Sequence, residues 1–99
     1  VKEGTSVYVL EFDNDIIKIG ISSNVRRRIR YLSGASRVTR YWASNRVSRE
    51  WAREVERLAH SYFEDNRESG EYFSGIGLED GIKFVNNFIP SPDSVIENW

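Results

Sequence analysis

With 99 residues, 39% of them hydrophobic and none cysteine, the chain can close one modest core in a single domain; disulfides and thiolate metal sites are excluded. No apolar run approaches the roughly 18 residues of a membrane span and the first ten residues lack a secretory signal, so a soluble cytoplasmic protein is expected. The net charge of −1 conceals a division: Lys18 to Arg57 carries eleven Lys and Arg against Glu50, Glu54 and Glu56, while the flanks 1–17 and 58–99 sum to −3 and −6.

An arginine-rich middle suits a polyanion, because guanidinium forks match phosphate oxygens. It equally suits a solvated, ion-paired surface. The chain opens with two β-branched, aromatic-rich stretches, "TSVYVLEF" (5–12) and "IIKIGI" (16–21), joined by Asp13-Asn14-Asp15. This pattern predicts a hairpin, and apolar residues on both faces predict that it is covered on both sides. A three-residue loop sets Leu10 opposite Lys18 and Tyr8 opposite Gly20, which makes Tyr8 and Lys18 diagonal neighbours on one face. An ammonium there favours the phenolate and lowers the tyrosine pKa from its usual value near 10, as a tyrosine base requires. The alternative is a core tyrosine beside a lysine that snorkels to water.

Asn24 is a candidate N-cap for "VRRRIRYL" (25–32), where Val25, Ile29 and Leu32 share a helical face. Arg26, Arg27 and Arg30 then point outward, and Arg28 lies at the edge of the apolar face, reaching toward the sheet. Either a ligand or a carboxylate at the core edge is expected to meet it. After the loop "SGAS", "RVTRYWAS" (37–44) is a third strand. Ser48 caps a long helix to about Glu64, with Trp51, Val55, Leu58, Ala59, Tyr62 and Phe63 as its apolar stripe. His60 stands one step from that stripe, with Glu56 one turn earlier as its expected partner. "GEYF" (70–73) is short and extended, 78–89 is helical until Pro90, and the tail is peripheral, pinned by Trp99. The predicted fold is α+β: a small three-stranded antiparallel sheet flanked by helices, in the order β-β-α-β-α followed by a last helix.

Tyr8, "KIG" (18–20), Arg28 eight residues after that glycine, "EVERLAH" and "GEYF" together resemble the GIY-YIG nuclease superfamily. The likeness runs from about Val7 to Phe88 and is nearest to the short phage-type branch named after an open reading frame of phage T5, in which "KIG" replaces "YIG". The first signature departs from the superfamily's, since "SVYV" keeps only its tyrosine. The resemblance implies a DNA endonuclease that leaves a 5′-phosphate and a 3′-hydroxyl. In it Tyr8 takes the proton from water, Lys18 keeps the phenol near its ionised form, and Arg28 stabilises the scissile phosphate. Glu71 is then the single protein ligand of Mg²⁺ or Mn²⁺. His60 follows by position, to orient Tyr8, contact the phosphate or act as an alternative base, and Asn86 or Asn87 completes the site. Arg26, Arg27 and Arg30 are left to grip the backbone.

The alternatives are a binding module that keeps the fold without turnover, and a nuclease acting on RNA or branched DNA. An appended DNA-binding domain or a homodimer is the expected source of sequence selectivity. The missing initiator methionine points to a trimmed chain or to one domain of a longer one.

Overall fold

A hairpin at the centre of the sheet organises the molecule. In the computed structural model, which describes residues 4–32, 36–92 and 94–97, β1 (Ser6–Phe12) and β2 (Ile17–Ser22) pair antiparallel with Leu10 opposite Lys18 and Tyr8 opposite Gly20. The loop has the expected three residues. The Phe12 amide donates to the Ile16 carbonyl at 2.9 Å, and Asp15 takes the left-handed conformation (φ 67°) that closes such a turn. The predicted register follows from this geometry.

The sheet is larger than the sequence suggested. Among the described residues it has six strands instead of three, all antiparallel, in the order β4 (Arg67–Ser69), β5 (Tyr72–Phe73), β2, β1, β3 (Val38–Ala43), β6 (Ile96–Glu97). The three additions have two or three residues each, too short for an alternating pattern to emerge. The tail is therefore an edge strand tied to the body: the Trp42 indole donates to the Pro92 carbonyl at 2.9 Å, and Ser91 accepts from the Asn45 amide at 2.8 Å. Trp99 and most of the loop before β3 lie outside the described residues.

Helix α1 (Val25–Tyr31) covers one face of the sheet, and α2 (Arg49–Tyr62) and α3 (Leu78–Asn86) cover the other. The caps read from sequence are in place: Asn24 Oδ1 accepts from the Arg27 amide at 3.0 Å and Ser48 Oγ from the Trp51 amide at 3.1 Å. On the α2 and α3 side, Val7, Val9, Ile17, Ile19 and Trp42 pack against Ala52, Val55, Ala59, Leu78 and Val85, all buried. Trp51 and Tyr62, assigned to the apolar stripe by periodicity, are instead exposed flanks resting on Phe88 and Phe84 with ring centroids 6.4 and 4.7 Å apart. On the α1 side, Leu10, Phe12, Ile29 and Tyr41 form a smaller cluster that also takes in Tyr8. Among the described residues no helix is long and apolar enough to cross a membrane.

Candidate active site

The two-residue length of β5 creates the site. It pairs with Ile17 and Lys18, and the Ile19 amide then donates to the Glu71 carbonyl at 3.1 Å, after which the edge of β2 is open. The Ile19 carbonyl, left without a strand partner, accepts instead from His60 Nε2 at 2.9 Å. A buried backbone carbonyl needs such a donor, and a carbonyl accepts only, so Nε2 carries the proton. His60 thus clamps α2 to the strand edge beside Gly20. Burial holds its imidazole below the ordinary histidine range, against the opposing effect of that hydrogen bond.

Tyr8 and Glu71 meet over Gly20. A Cβ at Gly20 would stand 2.5 Å from Tyr8 Oη and 2.8 Å from Glu71 Oε1, distances no methyl group tolerates. Glycine is required here by close approach. Lys18, 7% exposed, donates its ammonium to Glu71 Oε1, and its Nζ lies 4.9 Å from the Tyr72 ring centroid and 5.9 Å from that of Tyr8. The sequence-predicted neighbours Tyr8 and Lys18 are therefore on one face, with Glu71 added to them.

The electrostatics differ from expectation. Lys18 was to draw the Tyr8 phenol toward ionisation, but its charge is spent on Glu71. Burial and the Glu71 carboxylate hold the Tyr8 pKa above its ordinary value, and Arg28 is the neighbour that opposes them. Arg28 is exposed and forms no ion pair among the described residues, so the carboxylate that might have met it at the core edge is not there. Its charge is still felt at Tyr8.

Glu56 is the residue the sequence misdirected. It shares a helical face with His60, as i, i+4 spacing requires, but His60 is turned to the Ile19 carbonyl and Glu56 to Glu71. Burial, then the charge and contact of Glu71, push the Glu56 carboxyl up to about 7, while Lys18 and Arg53 oppose the shift. Its Oε2 is buried with no hydrogen-bond partner among the described residues. Spacing along a helix shows which residues share a face and says nothing of what that face meets.

The other candidates lie elsewhere. Arg26, Arg27 and Arg30 line an open groove of about 410 Å³ on α1 together with Asn24 and Tyr31. Asn86 and Asn87 line a different cleft, of about 510 Å³, with Glu79, Ile82, Lys83 and Val95, and Asn86 Oδ1 accepts from the Ser91 amide at 2.9 Å. None of Tyr8, Lys18, Arg28, His60 or Glu71 lines that cleft.

The donor set suits a hard divalent cation that keeps most of its waters. Among the described residues no group of three or more His, Cys, Asp or Glu side chains is placed to hold a metal ion. Glu71 and the orphaned Glu56 oxygen are carboxylate oxygens, and Mg²⁺ is usually held by one or two of these plus substrate phosphates.

No curated protein and no solved structure matches the chain. The family model described as the T5orf172 domain matches residues 5–89, a span containing β1 through α3 and every side chain of the cluster around Gly20. The chain belongs to the T5orf172 domain family, a GIY-YIG-related family of nuclease type.

Proposed function

We propose that the chain is a metal-dependent endonuclease that hydrolyses phosphodiester bonds in DNA, leaving a 5′-phosphate and a 3′-hydroxyl. One observation carries the reading: Tyr8, Lys18 and Glu71 converge beside Gly20, where β5 ends along the edge of β2. Residues 63 positions apart in the chain are brought within a few ångströms by the hairpin and β5, and the cost of burying their polar groups favours a functional explanation.

In this reading Tyr8 removes the proton from the attacking water, and Arg28 is the residue whose charge draws the phenol toward its reactive form. Arg28, exposed on α1 and without an ion pair among the described residues, meets the scissile phosphate and stabilises charge gathering on its oxygens. Lys18 orients Glu71, and His60 fixes the strand edge on which both stand. Glu71 holds Mg²⁺ or Mn²⁺, which supplies electrostatic stabilisation of the leaving 3′ oxygen. Arg26, Arg27 and Arg30 line the α1 groove and hold the backbone on either side.

The test is cleavage of supercoiled plasmid with Mg²⁺ or Mn²⁺ by the wild-type chain, Glu71→Ala and Arg28→Ala. Nicking or linearisation by the wild type, reduced about 10²-fold or more in both variants, is the expected result. Salt-dependent DNA binding without cleavage by the wild type, unaffected or strengthened by Glu71→Ala, would replace the enzyme by a binding module.

A further inference from the structure

The residues carried over by resemblance leave one group of the site without a duty. Glu56 reaches the cluster from α2, and its carboxyl is in side-chain contact with Glu71. Glu71 accepts from Lys18, whereas the second Glu56 oxygen, Oε2, is buried with no hydrogen-bond partner among the described residues. A carboxylate oxygen removed from water without a partner is unfavourable, and more so when charged. Two carboxylates also outnumber the single ammonium between them, and the remaining cations, Arg53 near Glu56 and Arg28 near Tyr8, act only at longer range.

A positive ligand resolves both faults together. We propose that Glu56 is a second carboxylate of the cation site, joining Glu71 so that a divalent ion links helix α2 to the β5 edge of the sheet. This rests on the metal-dependent reading above, and it goes beyond the single ligand, Glu71, that the resemblance implies. The competing account is a purely structural pair of carboxyls that share a proton. A lone proton satisfies the Glu56–Glu71 contact but does not require two carboxylates to bind metal. The two accounts therefore differ in cation affinity.

The measurement is Mn²⁺ binding to the full chain by titration calorimetry without nucleic acid, for wild type, Glu56→Gln, Glu56→Asp and Glu71→Gln, with each variant's melting temperature taken free of metal. Glu56→Gln is expected to weaken Mn²⁺ about tenfold or more while melting no lower than the wild type, since it removes a buried like charge. Glu56→Asp, which keeps the carboxylate, recovers part of the affinity. Wild-type affinity in a folded Glu56→Gln, with Glu71→Gln still deficient, overturns the role of Glu56 and leaves the nuclease reading standing. Failure of the wild type itself to bind Mn²⁺ overturns the proposal, and plasmid cleavage then decides separately whether the nuclease reading survives. If Glu56→Gln fails to fold, Glu56→Ala takes its place, and wild-type Mn²⁺ affinity in that folded variant overturns the role of Glu56.

Discussion

The two faces of the β1–β2 hairpin are made from alternate residues of the same two strands, and they do different work. Val7, Val9, Ile17 and Ile19 turn toward α2 and α3 into a buried hydrophobic cluster. Tyr8, Lys18 and Gly20 turn the other way, where the packing under α1 gives way to a buried phenol, a buried ammonium and a bare Cα. In the nuclease reading proposed above, period-two alternation thus separates stability from chemistry by a single residue step. The chemical face is costly because polar groups are desolvated there, and the apolar face offsets that cost through burial of about 25 cal/mol per Å².

Gly20→Ala is the substitution that most severely breaks the division, because it places a methyl group 2.5 Å from Tyr8 Oη and 2.8 Å from Glu71 Oε1. Displacing either group by about 1 Å is expected to lower plasmid cleavage by about 10²-fold or more, with a lowered melting temperature as Tyr8 is forced from its place. An alanine variant that cleaves like the wild type would show that Tyr8 and Glu71 do not act together over Gly20. Ile17→Ala, one residue from Lys18 but on the other face, is expected to cost about 2–5 kcal/mol of stability. Its cleavage rate per folded molecule should remain within a few-fold of wild type when both are assayed well below their melting points.

Arg28→Ala sharpens the comparison from the opposite direction. The side chain is exposed and has no ion pair among the described residues, so stability should change by no more than about 0.5 kcal/mol. Cleavage should fall about 10²-fold. A large drop in melting temperature would mean that Arg28 is a structural residue, and its proposed role would have to be given up.

The register around Tyr8 was legible because it depends on local quantities: a three-residue turn and a period of two place Tyr8 opposite Gly20 and diagonal to Lys18. The caps at Asn24 and Ser48 were legible for the same reason, each being a side chain three residues from the amide it accepts from. What failed depended on distant partners. Ile96 and Glu97 are a strand only because Tyr41 and Arg40 lie beside them, and nothing in "SVIENW" announces that. The phenol's shift was misread because the sequence placed Lys18 beside Tyr8 and could not show that Glu71, 53 residues beyond Lys18, takes up its charge. Glu56 was assigned to His60 because helical spacing is visible in a sequence, whereas the open edge of β2 that claims His60 is not.

The smallest expected effect lies at the far end of β1, away from the cluster. Glu11 holds Arg40 on β3 through two hydrogen bonds of 2.8 Å each, and that guanidinium contact keeps the Glu11 carboxyl below its ordinary pKa despite an opposing cost of burial. A carboxyl lowered in the folded state stabilises the protein above its unfolded pKa, about 4.5, and that contribution is lost as pH falls through the folded value. Because both side chains are partly open to water, screening limits the contribution to about 1 kcal/mol. Glu11→Gln is therefore expected to melt slightly lower than the wild type at pH 7, with the difference shrinking as the two are compared at progressively more acid pH. Plasmid cleavage at neutral pH should be unchanged, since Glu11 touches neither Gly20 nor its neighbours Tyr8 and Glu71. A difference that grows on acidification would reverse the sign and show that Arg40 does not favour the charged form of Glu11.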